Sequence, residues 1–559
     1  MKRLGVGRAG TGRSTNVAEA VGTALVGCGV DTVVGVVGSG NFAVTNAMVA
    51  AGARFVAARH EGGAATIADA HARMSGRPTA LTLHQGCGLT NALTGITEAA
   101  KSRTPLVVLA AEATSPRSNF AVDQAALATA VGAVPMRVTS AAGALDRVAA
   151  AVGTAVHGRR TVVLNLPLDV QAAQLAVPAR PPEVPAPLPA VPGAAEVDRL
   201  VTALRSARRP VFVAGRGARG PGVRVALEAL ADRCGALLAT SAVARGLFRG
   251  SPWSLDVSGG FASPLAAELI GGADLVVGWG CALNMWTMRH GRLIAEGAVV
   301  AQVDDDPSAI GAHRDVAVGV VGDVRRTAEA AAAAFGDEAA PGYRSPELRT
   351  AIAARVRWRD VPFTPSGGPD RIDPRTLTIA LDDLLPPERV VAVDSGNFMG
   401  WPSAFLDVPD EFGFCFTQAF QSVGLGLATG IGAALARPDR LPVAALGDGG
   451  ALMGASELET VVRLGLPMVV VVYDDAAYGA EVHHFGPDGH PLDTVRFPET
   501  DFAALARGHG FTAVTVRAPG DLAGVAEWVA GSRDTPLLVD AKVAADEPSW
   551  WLAEAFRGH

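Results

Sequence analysis

Lysine is nearly missing from this sequence: only Lys2, Lys101 and Lys542 occur, so arginine carries almost all of the positive charge. Acidic residues still prevail, giving a net charge of −7 and a pI near 5.9. That balance argues against nucleic acid as the main partner, because phosphate binding calls for a basic surface. Cysteine is scarce too. Cys28, Cys87, Cys234, Cys281 and Cys415 are scattered and never paired as CxxC, which disfavours both a disulfide framework and a zinc site and fits a reducing compartment. No apolar run approaches the ~20 residues that a membrane-spanning helix needs, so no membrane partner is expected. The opening MKRLGVGRAGTGRST is basic and glycine-rich but lacks the apolar core of a secretory signal. It reads as a frayed tail, and the cytoplasm is the expected location.

What is present is globular in composition, 49% hydrophobic and 18% charged over 559 residues. Such a length exceeds what one core usually supports and gives a prior of roughly three to four domains of ~150 residues. Proline cannot continue a helix or a central strand, so its clusters read as linkers. One is VPARPPEVPAPLPAVPG at 177–193; the other runs diffusely from about Gly336 through VPFTPSGGPDRIDP. The expected domains are therefore 14–176, 194–335 and 372–559. Each contains short β-branched runs alternating with Ala-rich stretches of helical length: DTVVGVV and LVVLAAE in the first, PVFVAG and DLVVGWG in the second, RVVAVDSG and PMVVVVYDD in the third. This is the βαβ pattern, so the fold class is α/β with three Rossmann-like domains on parallel sheets. Ligands bind outside the carboxyl ends of such strands.

The segment Leu441 to Gly479 carries the strongest chemical signal. It reads as a buried strand ending in an acidic loop, a helix opening near Ser456 with Glu459 three residues on, and a second apolar strand ending in Asp474 and Asp475. Asp448 and Asp475 then share one edge of adjacent parallel strands. Gly447, Gly449 and Gly450 let backbone approach a bulky anion, and paired carboxylates with carbonyls suit a hard octahedral cation that also contacts phosphate. Mg²⁺ against a diphosphate is the natural occupant.

This stretch resembles the cofactor motif of the thiamine-diphosphate-dependent superfamily that includes acetolactate synthase, benzoylformate decarboxylase and pyruvate decarboxylase. The resemblance implies Asp448, Asp475 and the carbonyl of Ala477 as Mg²⁺ ligands, with Tyr478 and Gly479 completing the loop at the cofactor. One departure stands out: Asp474 and Asp475 replace an asparagine pair, which keeps an oxygen ligand but adds negative charge. ARHEGGAATIADAHARMSGRP, at 58–78, looks like the segment that holds the cofactor-activating glutamate, here Glu61. A carboxylic group on the aminopyrimidine favours the tautomer that removes the C2 proton. VDSGNFMGWPSAF and FQSVGLGLATGIGAALARP resemble the diphosphate loop and the glycine-rich helix start. They put Gly396 and Asn397 near the diphosphate, Val423 beneath the bent cofactor and the Gln421 carbonyl at its amino group.

Substrate-side residues follow by position in the same resemblance. Ser39 and Asn41 lie in the polar loop brought over the thiazolium, and His84 in LHQGCGLTN corresponds to the active-site histidine of benzoylformate decarboxylase. Gln124 aligns with a glutamine near the acetolactate synthase site, although Asp123 stands where those enzymes have phenylalanine. Glu481 matches the second active-site glutamate of pyruvate decarboxylases, whereas His483 and His484 read as a polar helix face. His84 points to decarboxylation, Gln124 to a ligase and Glu481 to either. The expected activity is carboligation of the acetolactate synthase kind on a 2-oxo acid, with a carbonyl acceptor; simple decarboxylation is the alternative. The superfamily holds its cofactor between subunits, which implies a homodimer or homotetramer with Glu61 and Asp448 meeting across the interface. Two rivals remain at this stage: a noncatalytic cofactor-binding subunit, and a nicotinamide oxidoreductase built on GRGARG, Gly215 to Gly220. That lone GxGxxG match lacks an acidic partner strand, and the central third is expected to be a Rossmann-like spacer.

Overall fold

A computed structural model describes residues 15–175, 183–337 and 339–555. The sequence expectation of a frayed tail over the opening residues falls outside these, as do the domain limits expected at 14 and 176. The chain forms two compact units that meet in sequence between Pro187 and Leu188. No helix among the described residues is long and apolar enough to cross a membrane.

The first unit carries a six-stranded parallel sheet: β1 (Thr32–Gly35), β2 (Arg54–Ala57), β3 (Thr79–Leu83), β4 (Leu106–Glu112), β5 (Val134–Arg137) and β6 (Thr161–Pro167). Its order is β2-β1-β3-β4-β6-β5. Helices α1 (Phe42–Ala50), α2 (Glu61–Ser75), α3 (Cys87–Lys101) and α4 (Gln124–Ala130) follow the first four strands. Burial on both faces explains why β4 reads as an apolar run up to Glu112, and β6 as one broken only by Asn165 after Thr161, rather than as alternating strands. The α2 helix begins where the His60 side chain accepts from Gly62 N and stops at Gly76, whose φ of 70° supplies the left-handed end.

The second unit holds two more parallel sheets. The central one comprises β7 (Pro210–Ala214), β8 (Leu237–Thr240), β9 (Ser254–Val257), β10 (Leu275–Trp279), β11 (Val299–Asp304) and β12 (Val318–Val321), ordered β9-β8-β7-β10-β11-β12. That is the Rossmann order 3-2-1-4-5-6. The stretch expected to be a diffuse linker contains a helix, α5 (Pro346–Arg355). Ser345 caps it through Leu348 N, Pro346 stands at its first turn, and Ile352 is buried in the central core. A proline cluster thus marked a helix start as well as a connection.

The remaining sheet comprises β13 (Arg389–Val393), β14 (Phe414–Phe416), β15 (Leu441–Gly447), β16 (Val469–Asp474), β17 (Thr512–Val516) and β18 (Leu537–Lys542), ordered β14-β13-β15-β16-β18-β17. Its order repeats that of the first unit, 2-1-3-4-6-5. In both, the strand order reverses between the first and third strands, and ligands of open α/β sheets bind at such a point. Helices α6 (Asp448–Met453), α7 (Glu457–Arg463), α8 (Gly479–Phe485) and α9 (Trp550–Ala555) complete the part relevant to function. The sequence placed a loop at Asp448 and a capped helix at Ser456. Instead, Asp448 itself opens α6, and Ser456 makes no side-chain cap. Glu459 pairs with Arg463 one turn along α7.

Candidate active site

At the reversal point of the first sheet, the loop after β1 packs on the loop after β3. Asn41, nearly fully buried, accepts from Gly38 N at 2.8 Å and donates from Nδ2 to Thr82 Oγ1 at 3.0 Å and Val36 O at 3.2 Å. This closes the loop over Ser39, which is exposed. Gly40 N donates to His84 Nδ1 at 3.2 Å. Because Nδ1 accepts, the imidazole proton sits on Nε2, so His84 presents an N–H donor. A Cβ on Gly40 would overlap Gln85 Oε1, and one on Gly38 would press on the His84 ring; both positions need glycine so that the loops can touch. Phe120 braces the ring edge-on at 5.2 Å.

Gln124 stands apart from this exposed edge. It is 2% exposed, its Oε1 accepts from Gly86 N at 3.2 Å, and its Nε2 donates to Asn165 Oδ1 at 2.8 Å. Both ends of the amide serve to hold the Gly86 turn at the start of α3. Glu61 is the first residue of α2 and only partly buried, with Oε2 accepting from Asn91 Nδ2 at 3.0 Å. Asn91 was part of the quoted LHQGCGLTN motif, but its contact with Glu61 is visible only in three dimensions.

The reversal point of the third sheet gathers the rest. Register pairs Val393 with Ala445 and Gly447 with Tyr473, so residues 394–397, 448 and 475 emerge at one edge. Asp448 accepts backbone hydrogen bonds from Gly449 and Ala477; burial, then the charges of Asp475 and Asp474, push its carboxyl up to about 7. Burial also raises Asp475 to about 6, against the hydrogen bonds it accepts from the Asn397 side chain and Ala477 N. Two neighbouring buried carboxylates, the charge of Asp475 raising the proton affinity of Asp448, form a site for a cation. Ala477 pairs with Arg496 across a short antiparallel bridge whose hydrogen bonds run through its neighbours, Tyr478 N to Val495 O at 2.9 Å and Phe497 N to Ala476 O at 2.9 Å. The hairpin therefore leaves the Ala477 carbonyl to other partners. An all-oxygen set of this kind fits Mg²⁺, which takes few protein ligands and fills its octahedron with phosphate and water. Among the described residues no cluster of three or more His, Cys, Asp or Glu is arranged for a metal, so backbone and cofactor oxygens would complete this one.

The glycines have a reason within the chain as well. A Cβ on Gly447 would sit 3.0 Å from the Phe398 ring, one on Gly449 would sit 2.8 Å from Tyr478, and one on Gly450 would overlap Asp394. Bare backbone here makes room for the chain's own side chains. Tyr478 is 40% exposed and leans edge-on against Phe497. Gly479 has its bare face against Asp475 and Asn397. Gln421 adopts a left-handed φ of 61°, uncommon for a residue with a side chain, and Val423 is 39% exposed. Glu481 and His483 are half-buried on α8, where burial lowers the His483 pKa.

Asp394, to which sequence reasoning gave no role, and Asp474, which it read only as added negative charge, organise this edge. Asp394, fully buried, accepts from Ser395 N at 2.8 Å, Gly424 N at 3.0 Å and Leu425 N at 3.1 Å. It thereby fixes the turn that presents Val423. Asp474 does not face the candidate metal position as a second free carboxylate. Its Oδ1 accepts from Ala476 N at 2.9 Å, holding Ala476 at a φ of 57°, and its Oδ2 takes Lys542 Nζ at 2.6 Å.

In the central sheet, Gly215 and Gly217 lie against the turn after β10: Gly215 N donates to Trp279 O at 2.9 Å and Gly217 N to Gly280 O at 3.0 Å. A Cβ on Gly217 would meet Gly280 Cα at 2.8 Å. Loop-to-loop packing accounts for these glycines of GRGARG without a dinucleotide.

Comparison with known proteins matches three family descriptions along the chain. Residues 15–132 match the thiamine pyrophosphate enzyme N-terminal TPP-binding domain, 197–331 the central domain and 394–541 the C-terminal TPP-binding domain. A probable 2-ketoarginine decarboxylase of Pseudomonas aeruginosa is 30% identical over 533 residues, covering 91% of this chain and 90% of that protein. A sulfoacetaldehyde acetyltransferase of Rhodobacter capsulatus is 28% identical, covering 88% and 87%. A putative acetolactate synthase large subunit of Mycobacterium tuberculosis is 28% identical, covering 83% and 86%. With three α/β sheets and all three domain types in order, this chain belongs to the thiamine pyrophosphate enzyme family and is a thiamine-diphosphate-dependent enzyme.

Proposed function

We propose that this enzyme decarboxylates a 2-oxo acid, using thiamine diphosphate held through Mg²⁺ on Asp448, Asp475 and the Ala477 carbonyl. The observation that carries the reading is the hydrogen bond from Gly40 N to His84 Nδ1, which leaves an Nε2–H donor at the partly exposed edge of the first sheet. Gln124, the residue whose position pointed to a ligase, is instead committed to Gly86 and Asn165. That shifts the balance from the carboligase expected of the sequence toward decarboxylation, with His84 as a hydrogen-bond donor to the substrate carboxylate.

When bound, the cofactor supplies an electron sink for the bond to CO₂. The chain's own residues do the rest. Glu61, oriented by Asn91, holds the proton that the aminopyrimidine needs for activation. Asn397 and the 447–450 backbone would hold the diphosphate, with Gly396 giving the turn its φ of 137°, and Val423 and the Gln421 carbonyl would support the rest of the cofactor. Ser39 and His84 would orient the substrate carboxylate, His84 through its Nε2–H as a hydrogen-bond donor, and Glu481 as a carboxylic acid would supply the proton that releases an aldehyde.

The second reading is carboligation, favoured by relatives named as an acetyltransferase and as acetolactate synthase subunits. In that case a carbonyl acceptor takes the place of the proton. The proposal includes the homodimer or homotetramer implied by the family resemblance, which light scattering checks. Incubating the enzyme with a panel of 2-oxo acids, with and without thiamine diphosphate and Mg²⁺, separates the readings. Aldehyde equal to CO₂ supports decarboxylation, a coupled C–C product supports the ligase, and cofactor-independent turnover rejects both.

A further inference from the structure

We infer that Ser549 and Trp551 are positioning residues for Asn397 and, through its amide, for the Asp475 carboxylate. The inference rests on the Mg²⁺ reading of Asp475 given above. Asn397 opens a single 3₁₀ turn, Asn397–Met399, directly after Gly396. So short an element cannot fix its own first side chain. Three contacts from a segment some 150 residues away do so. Trp551 Nε1 donates to Asn397 O at 2.9 Å, Ser549 Oγ approaches the same carbonyl at 3.2 Å, and the Ser549 hydroxyl also makes a short hydrogen bond to Asn397 Oδ1. With Oδ1 engaged as an acceptor, Nδ2 is the amide's remaining face, and it donates to Asp475. Donors thus run in one direction, from Ser549 to Asn397 to the carboxylate.

The packing shows that this placement is specific. Ser549 and Trp551 are essentially buried. The Trp551 ring lies flat against Gly400, where any Cβ would overlap it, and stands edge-on to Trp401 at 4.6 Å. Phenylalanine would fill such a slot; an indole adds the donor that reaches Asn397. The neighbouring Trp550 provides a natural contrast. It stacks on Trp358 at 3.8 Å, and its Nε1 donates to Gly260 O at 3.0 Å, away from Asn397.

A metal ligand whose hydrogen-bonded support is removed loses roughly 10- to 100-fold in affinity. Isothermal titration of the full-length enzyme with Mg²⁺ in the presence of thiamine diphosphate tests this, alongside thermal unfolding of the cofactor-free protein. Ser549→Ala, Trp551→Phe and their combination are expected to weaken Mg²⁺ binding by that order. Trp550→Phe should leave it within about twofold while shifting the unfolding midpoint at least as much. Wild-type Mg²⁺ affinity in the double variant, or an equal loss in Trp550→Phe, overturns the inference and leaves the metal reading intact. A wild-type enzyme that binds no Mg²⁺ overturns both.

Discussion

Lys542 Nζ lies 2.6 Å from Asp474 Oδ2 and 2.9 Å from Asp540 Oδ1, with all three side chains nearly inaccessible to solvent. One of only three lysines in the chain therefore neutralises Asp474, one of the two carboxylates that stand where the resembled motif has asparagines. The same Nζ donates to Thr500 O at 2.6 Å, so the cation is hydrogen-bonded as well as paired. Burial disfavours the ammonium, yet the carboxylates hold the Lys542 pKa above its ordinary value.

Removing one partner of such a pair strands the other in the interior, at a cost of about 3–5 kcal/mol. Lys542→Met is expected to lower the denaturation midpoint of the second unit accordingly. Adding Asp474→Asn should recover part of the loss, the remainder reflecting Asp540. A single variant that unfolds with the wild type would show that Asp474 has another counter-charge.

Asp475 is predicted to act as an oxygen ligand, not as an obligatory charge. Asp475→Asn keeps that oxygen and should retain Mg²⁺-dependent activity within roughly tenfold, while Asp475→Ala should abolish it. Turnover measured against Mg²⁺ concentration distinguishes the two; equal activity in both variants removes Asp475 from the metal.

Glu61→Gln preserves the shape of the side chain and its contact with Asn91 but loses the ionisable proton. CO₂ release should fall by about 10²- to 10⁴-fold with the unfolding midpoint unchanged. Wild-type turnover in this variant would exclude Glu61 as the activating acid.

His71 gives the first unit a predictable acid sensitivity. Burial lowers its pKa to about 4, and its Nδ1 bonds Thr79 Oγ1 at 2.8 Å. Between that value and the unfolded pKa of about 6.5 the unfolded chain binds more protons, so stability rises with pH across the window and is lost as pH falls through it. Replacing His71 with Gln should flatten this dependence by on the order of 2–3 kcal/mol. Unfolding midpoints recorded from pH 4.5 to 7.5 supply the comparison; parallel curves for both proteins would discard the assignment.

The strands and their carboxyl-end loops were legible because burial on both faces leaves continuous apolar runs, and a run such as PMVVVVYDD announces both β16 and the acids that end it. The α6 helix was not legible: six residues, Asp448 to Met453, are too few to show a helical period. The helix α5 was hidden because Pro346 at its first turn looks like a linker proline in one dimension. GRGARG was ambiguous in one dimension, since glycines needed for loop packing and glycines needed for a phosphate have the same spelling.

By itself the sequence determined which chemical groups stand at strand ends: Glu61, His84, Asp448 and Asp475, each next to residues whose types restrict its conformation. Only tertiary structure decided which of them are free to act. Gln124 and Asp474 are spent on Asn165, Gly86, Ala476 and Lys542, while Asn397 is oriented by Ser549 and Trp551. The physical reason is that hydrogen bonds and ion pairs are saturable and local. Whether a polar side chain has capacity left for a ligand depends on partners brought from anywhere in the chain, and no spacing along the sequence records them.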